Sequence, residues 1–402
     1  MKFEKLGDHI EQVRGISYKP DYVINIAKDG YLPILRSNNI EEGKINFANL
    51  IFLPSELVKE KQKLKEGDIL ITASTGSKKA IGKNGAASQN FDAAFGAFCK
   101  VVRPKKSIDK NYLKHFFQTS YYRNTIRDAV NGANINNIKN GHLNDLKIPL
   151  APLVTQKKIA AILDAADAHR QKTKQLLAKY DELAQSIFLD MFGDPAVDIN
   201  RWSNYDLVDL ALSNKDVKCG PFGTQLSKSE YTEKGVPVWG IPQINSNFIK
   251  APSEFVSDKK AKELEQYSVV EGDIVMSRKG NVGACALFTE NQVSGILHSD
   301  AIKIRLDQRK ILPIFLIWQF RLSRLLQTQV GNVSSGAIMA GINVTKLKRV
   351  QIVVPDYELQ RSFKDRLALV DKQKSNALEA LKKGEGLFNS LLQKAFNGEF
   401  VK

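Results

Sequence analysis

"TASTGSKK" spans residues 72–79 and "SRKGN" spans residues 277–281, and each stands directly after an apolar run that begins Gly-Asp. Both stretches are dense in groups that can meet a nucleic acid. Arg and Lys can grip guanine edges, Asn and Gln adenine edges, and Ser and Thr can serve phosphates or either base. The candidates are Ser74, Thr75, Ser77, Lys78 and Lys79 in the first stretch, and Ser277, Arg278, Lys279 and Asn281 in the second. A third polar loop, "CGPFGTQLSKSEY" (219–231), adds Thr224, Gln225, Ser227 and Lys228 around a glycine-proline turn. Any one of these residues could equally belong to a solvated turn. Their repeated position after the same strand is what singles them out.

Other chemistry finds less support. "GSKKAIGKN" (76–84) invites comparison with a phosphate-binding loop, which needs four residues between its glycines and a Ser or Thr after the Lys. Here five residues intervene and Asn84 follows Lys83. No GxGxxG follows a strand, and no Asn-Pro-Pro-aromatic or Asp-Pro-Pro-Tyr run of amino-methylating enzymes occurs. His9, His115, His142, His169 and His298 are scattered without metal-ligand spacing. Cys99, Cys219 and Cys285 form no CxxC pair and no disulfide framework. Asp68 and Asp273, in matching positions, read as Gly-Asp turns before strands. No catalytic residue, cofactor site or metal site is expected in this chain.

What positions the loops is a duplication. "EGDILITASTGS" (66–77) and "EGDIVMSRKGNV" (271–282) are two copies of one stretch. "GANINNIKNGHLNDLKIPL" (132–150) aligns without gaps on "GAIMAGINVTKLKRVQIVV" (336–354), pairing Gly132, Ala133, Ile138, Leu143 and Ile148 with Gly336, Ala337, Ile342, Leu347 and Ile352. "YLPILRSNNI" (31–40) resembles "GVPVWGIPQI" (235–244), both reading as half-buried strands. Before each Gly-Ala, residues 111–130 and 312–330 read as one amphipathic helix.

Each half closes on a long helix. Its seam runs through Ile159, Ile162, Ala166, His169, Thr173, Leu176, Tyr180, Leu183 and Ile187 in the first half. In the second it runs through Phe363, Leu367, Val370, Lys374, Ala377, Leu381, Gly384, Phe388, Leu391 and Ala395. Sustained three-four spacing marks a coiled coil. The expected architecture is α+β: two repeated globular domains, 1–150 and 193–354, and two helices, 151–192 and 355–402, that pair antiparallel.

The 402 residues carry 59 Lys and Arg against 43 Asp and Glu, a net charge of +16. Such an excess favours a polyanionic partner. The charged start "MKFEKLGDHIEQVRG" and the lack of a long apolar run predict a cytoplasmic protein without a membrane partner.

With these features in order, the chain resembles the specificity subunit of type I restriction-modification systems nearly end to end. The likeness is carried by "GPFGTQLSKSEY", "GVPVWGIPQI", the two "EGDI" strands with "SRKGNVG", and the helix starts "IPLAPLVTQKKIAAIL" (148–163) and "VVPDYELQRSFKDRLALV" (353–370). The resemblance implies two target-recognition domains, each reading one half of a split sequence in double-stranded DNA. It also implies a helical spacer that sets the gap and docks two methyltransferase subunits, with restriction subunits in the full complex. S-adenosylmethionine, ATP and magnesium would then belong to those partners. The loops 72–79, 223–228 and 277–281, with Gln243, fall where such domains face DNA. The first half departs from the commoner pattern, having "TASTGSKK" where the second has an Arg-Lys pair. A coiled-coil scaffold, or an enzyme with its own nuclease activity, is the competing reading.

Overall fold

The computed structural model describes residues 2–41, 43–130, 136–193, 201–335 and 341–400. Gly132, Ala133, Gly336 and Ala337 of the repeat lie outside them. The chain divides into two compact units, one of residues 1–175 with 378–402 and the other of residues 176–377. Each contains an antiparallel-dominated sheet, helices against it, and one half of each long helix.

In unit one the main sheet runs in the order Ile10–Arg14, Cys99–Pro104, Ile69–Thr72, Asn84–Ala86, Gly43–Ile45 and Ile40–Glu41. Unit two repeats its centre as Val217–Cys219, Ala301–Ile304, Ile274–Ser277 and Cys285–Leu287. The "EGDI" strands are central in both, and all four residues of each are buried. This explains their continuous apolar runs.

The turn before each strand is built the same way. Gly67 and Gly272 take φ of +85° and +87°, which favours glycine. Asp68 then accepts from Nε and Nη2 of Arg103 at 2.8 and 2.7 Å and from the backbone N–H of Lys65. Asp273 accepts from Nε and Nη2 of Arg305 at 2.7 and 2.8 Å and from the N–H of Val270. Both carboxylates are fully buried. These turns are therefore more than local signals: each aspartate clamps its strand to the neighbour across the sheet.

Ile138, Leu143 and Ile148 are buried like their counterparts Ile342, Leu347 and Ile352. The single helices expected over 111–130 and 312–330 are each two, Lys110–Phe116 with Ser120–Ala129 and Pro313–Leu322 with Arg324–Asn332. The break falls at equivalent hydroxyls. Thr119 and Ser323 cap the second helix by accepting from the N–H groups of Tyr122 and Leu326.

The long helices are Leu153–Phe192 and Tyr357–Phe396, each of 40 residues. In unit one the first runs antiparallel to the second. Arg170 lies 4.3 Å above the Phe388 ring, Lys174 is 3.9 Å from Glu385, and Ile159 and Leu163 share a core with Leu392 and Ala395. In unit two the same sense holds, with Lys374 paired to Asp181 and the Phe188 and Phe363 rings 5.5 Å apart. All ten expected seam positions of the second helix are buried or half-buried. On the first helix the seam is shifted at every other position. Ile162, His169, Leu176 and Leu183 are exposed, while Leu163, Arg170, Leu177 and Ala184 face inward. Neighbouring apolar pairs such as Ile162-Leu163 and Leu176-Leu177 support both phases, so spacing alone could not choose. Thr173, polar on the seam, donates its hydroxyl to the His169 carbonyl and is satisfied locally.

Each long helix is also tied to its unit by a buried glutamine. Gln156 accepts from the Asp109 N–H at 2.8 Å and donates to the Ala151 carbonyl at 2.7 Å. Gln360 accepts from Leu312 N–H at 2.9 Å and donates to the Pro355 carbonyl at 2.8 Å. Gln156→Leu and Gln360→Leu should each lower unfolding free energy by about 1–3 kcal/mol, because a buried N–H loses its acceptor. Arg305→Leu, which strands the Asp273 carboxylate, should cost about 3–5 kcal/mol. Urea unfolding of the three variants tests this order.

Candidate nucleic-acid interface

In both units the strand-end loop is held by backbone pairing to the segment that closes the domain. Ile138 N–H donates to the Ala73 carbonyl at 2.8 Å, and Ile342 N–H donates to the equivalent Arg278 carbonyl at 3.1 Å. Two glycines let another strand end come close. A Cβ on Gly15 would lie 2.1 Å from the Gly96 carbonyl oxygen, and one on Gly220 would lie 2.3 Å from that of His298. Gly15 and Gly220 are thus equivalent, which aligns Arg14 with Cys219.

In unit one, Ser74 and Thr75 pair with Asn136 and Asn137, and both side chains are half-exposed. Thr75 Oγ1 accepts from the Ser77 N–H, shaping the turn. Ser77, Lys78 and Lys79 are exposed at its tip.

In unit two, Arg278 donates from Nε to the Ile342 carbonyl at 3.2 Å, and its guanidinium lies 4.9 Å from the centre of the exposed Phe222 ring. This brings the loops 219–225 and 277–281 together. Lys279 pairs with Asp300 at 2.8 Å, and Asn281 is exposed, with its amide 3.5 Å from that of Asn245. Thr224 is exposed on the adjoining turn. Gln225 accepts from Phe222 N–H and from the Tyr267 hydroxyl, both at 3.0 Å, so its carbonyl oxygen is spent on the loop. Ser227 and Lys228 belong to a further turn fastened through Glu230. Lys260 foremost, with the backbone and hydroxyl of Ser227, holds that carboxyl down at about 2.

Two candidates lie elsewhere than expected. Gln243 is buried, accepting from Gly240 N–H and donating to the Ala251 carbonyl. Asn39 does the same in unit one, accepting from Arg36 N–H and donating to the carbonyls of Asn46 and Ala48. Gln243 is thus an internal clamp, as polar residues often are when buried. Ser277 is fully buried and donates to the Lys279 carbonyl at 2.7 Å.

The structure also adds residues that motif reading passed over. In unit one a cleft of about 450 Å³ opens beside Ser74, lined by Gln12, Arg14, Phe98, Lys100, Asn137 and Lys139. In unit two a broader groove of about 830 Å³ joins Asn281 to Asn245, Asn247, Arg321 and Gln327. The glycine in "QVRGI" was the available signal, since it marks a close backbone approach. No cluster of three or more potential metal ligands occurs among the described residues. No helix among them is long and apolar enough to cross a membrane.

Two polar loop surfaces on two equivalent sheets define a duplicated recognition protein. The family described as the type I restriction modification DNA specificity domain matches residues 1–179 and again 213–383. Among curated relatives, the EcoKI specificity subunit of Escherichia coli K12 is 31% identical, covering 97% of this chain and 87% of its own. The StySPI specificity subunit of Salmonella potsdam is 31% identical over the same shares. The crystal structure of a type I restriction-modification S subunit from M. genitalium superposes with a TM-score of 0.57 at 14% identity, covering 98% of this chain and 96% of that one. A chain from a structural study of type I complex assembly and conformational transition gives 0.59 at 16% identity, covering 98% and 97%. The chain belongs to the type I restriction-modification DNA specificity family.

Arg278→Ala should relax sequence preference in one half-site only. A bidentate base contact is worth about 1–3 kcal/mol of discrimination, whereas a phosphate contact weakens all sequences alike. Competition binding with duplexes varied in each half-site separates the two, and unchanged affinity together with unchanged preference in both would make the loop a plain turn.

Proposed function

We propose that this chain is the DNA-reading, non-catalytic subunit of a type I restriction-modification complex, with each unit recognising one half of a bipartite target. The observation that carries the reading is the duplication: one sheet with one glycine-opened strand end occurs twice, bearing different exposed residues each time. The proposed contacts are the accessible candidates, Ser74, Thr75, Ser77, Lys78 and Lys79 in unit one, and Thr224, Lys228, Arg278, Lys279 and Asn281 in unit two. Gln225, Ser227, Gln243 and Ser277 are proposed to shape these loops from beneath.

S-adenosylmethionine, ATP and magnesium are proposed to bind partner methyltransferase and restriction subunits. The first long helix supports docking of such a partner. Within unit two, its apolar residues Leu176 and Leu183 are left exposed by the pairing with the other helix. A further helix can lay its own apolar face along such a stripe.

The experiment is to map methylated adenines in cells carrying this chain with its co-encoded methyltransferase. Two short specific sequences at a fixed separation are expected, and the purified chain alone should transfer no labelled methyl group. Methylation without a bipartite target, or transfer by the chain alone, would overturn the reading.

The helices are further proposed to set the gap between half-sites. Four residues inserted after Gln175 together with four after Ala377 add about one turn to each, roughly 6 Å with about 40° of excess rotation. One base pair of B-DNA advances about 3.4 Å and turns by about 35°. The insertion variant should therefore methylate a target with its gap lengthened by one or two base pairs and both half-sites intact. An unchanged gap would mean that a flexible link, not the helices, sets the spacing.

A further inference from the structure

One carbonyl is served by two different cations in the two units. In unit two, Arg278 Nε donates to the Ile342 carbonyl at 3.2 Å. The equivalent carbonyl in unit one belongs to Ile138, and there Lys100 Nζ donates at 3.2 Å. By strand register, Arg278 aligns with Ala73 and Lys100 with Ile302, so neither cation has a counterpart at its own position. The charge has moved from a loop to a strand while the atom it serves has stayed. The missing Arg-Lys pair of the first half is thus made good from a place no motif comparison would inspect.

Lys100 is only 8% exposed, yet its amine meets neutral acceptors: Gln12 Oε1 at 3.1 Å, the Ile138 carbonyl, and Asn140 Oδ1 at 2.7 Å. Burial, with Arg14 nearby, pushes its pKa down. A buried charge is normally paired with an opposite one, because desolvation otherwise goes uncompensated. Here the adjoining cleft offers no such pair: Arg14, Lys100 and Lys139 line it, and no Asp or Glu does. Phe98, 70% exposed, stands beside them.

We infer that this cleft is where unit one grips a backbone phosphate of its DNA half-site, with Arg14 and Lys139 touching the phosphate and Lys100 beneath them as a positioning residue. The inference rests on the DNA-reading function proposed above. All three Lys100 donors are committed, so it acts by holding Gln12 and Asn140 in place and by adding its field to the cleft. Phosphate contacts of this kind fix register and carry no base information.

The test uses the full chain with its methyltransferase, on duplexes carrying the mapped target, titrated with salt. Arg14→Ala should bind roughly tenfold more weakly, and its log-log salt slope should fall by about 0.9, one neutralised phosphate. Ethylation of one phosphate in unit one's half-site should weaken binding of the unaltered complex and weaken binding of the variant by a smaller factor. Lys100→Met should also weaken binding, because Gln12 and Asn140 lose the amine that holds them, and a retained cooperative thermal transition separates this from unfolding. Lys303→Met is the control. Lys303 is a buried lysine away from this cleft, its pKa pushed down by burial to about 8, and its loss should leave slope and half-site contacts unchanged. Should Lys100→Met unfold, Arg14→Ala and the likewise exposed Lys139→Ala decide. If both keep the original slope while the unaltered complex reads its two half-sites, the cleft is not a phosphate site. If the unaltered complex fails to bind duplex at all, it is the DNA-reading function that falls.

Discussion

Each sheet depends on one buried guanidinium-carboxylate pair, Arg103 with Asp68 and Arg305 with Asp273. The aspartate does two jobs at once. It closes its own Gly-Asp turn through a backbone N–H, and it grips the arginine of the adjacent strand with both oxygens. A one-residue slip would break both arrangements and move every side chain of the strand to the opposite face of the sheet. Register fixed at one end of a four-residue strand also fixes where the other end stops. The polar loops therefore emerge at the same place in both units, whatever residues they carry.

Upon this frame the units vary only what can be varied without loss. The amide clamp persists as Asn39 in one and Gln243 in the other, two side chains of different length doing the same work. The helix break persists as Thr119 and Ser323. At the loops the constraint loosens, and Ala73 can stand where the other unit has Arg278. Divergence is concentrated where the backbone is already held by its own hydrogen bonds.

Much of this was legible in the chain itself. Duplication, the α+β class, the antiparallel helix pair and the strand-end loops all follow from repeats and periodicity, because those signals arise from burial. The phase of the first helix did not, since Ile162-Leu163 and Leu176-Leu177 offer an apolar residue to either face. The role of Gln243 was hidden because a buried amide and an exposed one are spelled alike. Lys100 was hidden more deeply. A lysine inside the strand Cys99–Pro104 gives no local hint that it reaches Gln12 and Asn140, far away in sequence.

The helix pairing also decides the order in which the chain can mature. Unit one draws Phe388, Leu392, Ala395 and Phe396 into its core, alongside residues from its own opening strands and helices. Unit two is contiguous, residues 176–377, and sits in the sequence as an insertion within unit one. On the ribosome, therefore, the second unit has all its residues available before the first does. At about 5–20 residues per second, the earlier half must wait roughly 10 to 45 s after residue 175 for its closing segment. During that interval its apolar surface lacks the partner that covers it in the finished protein. The half made first is the half completed last.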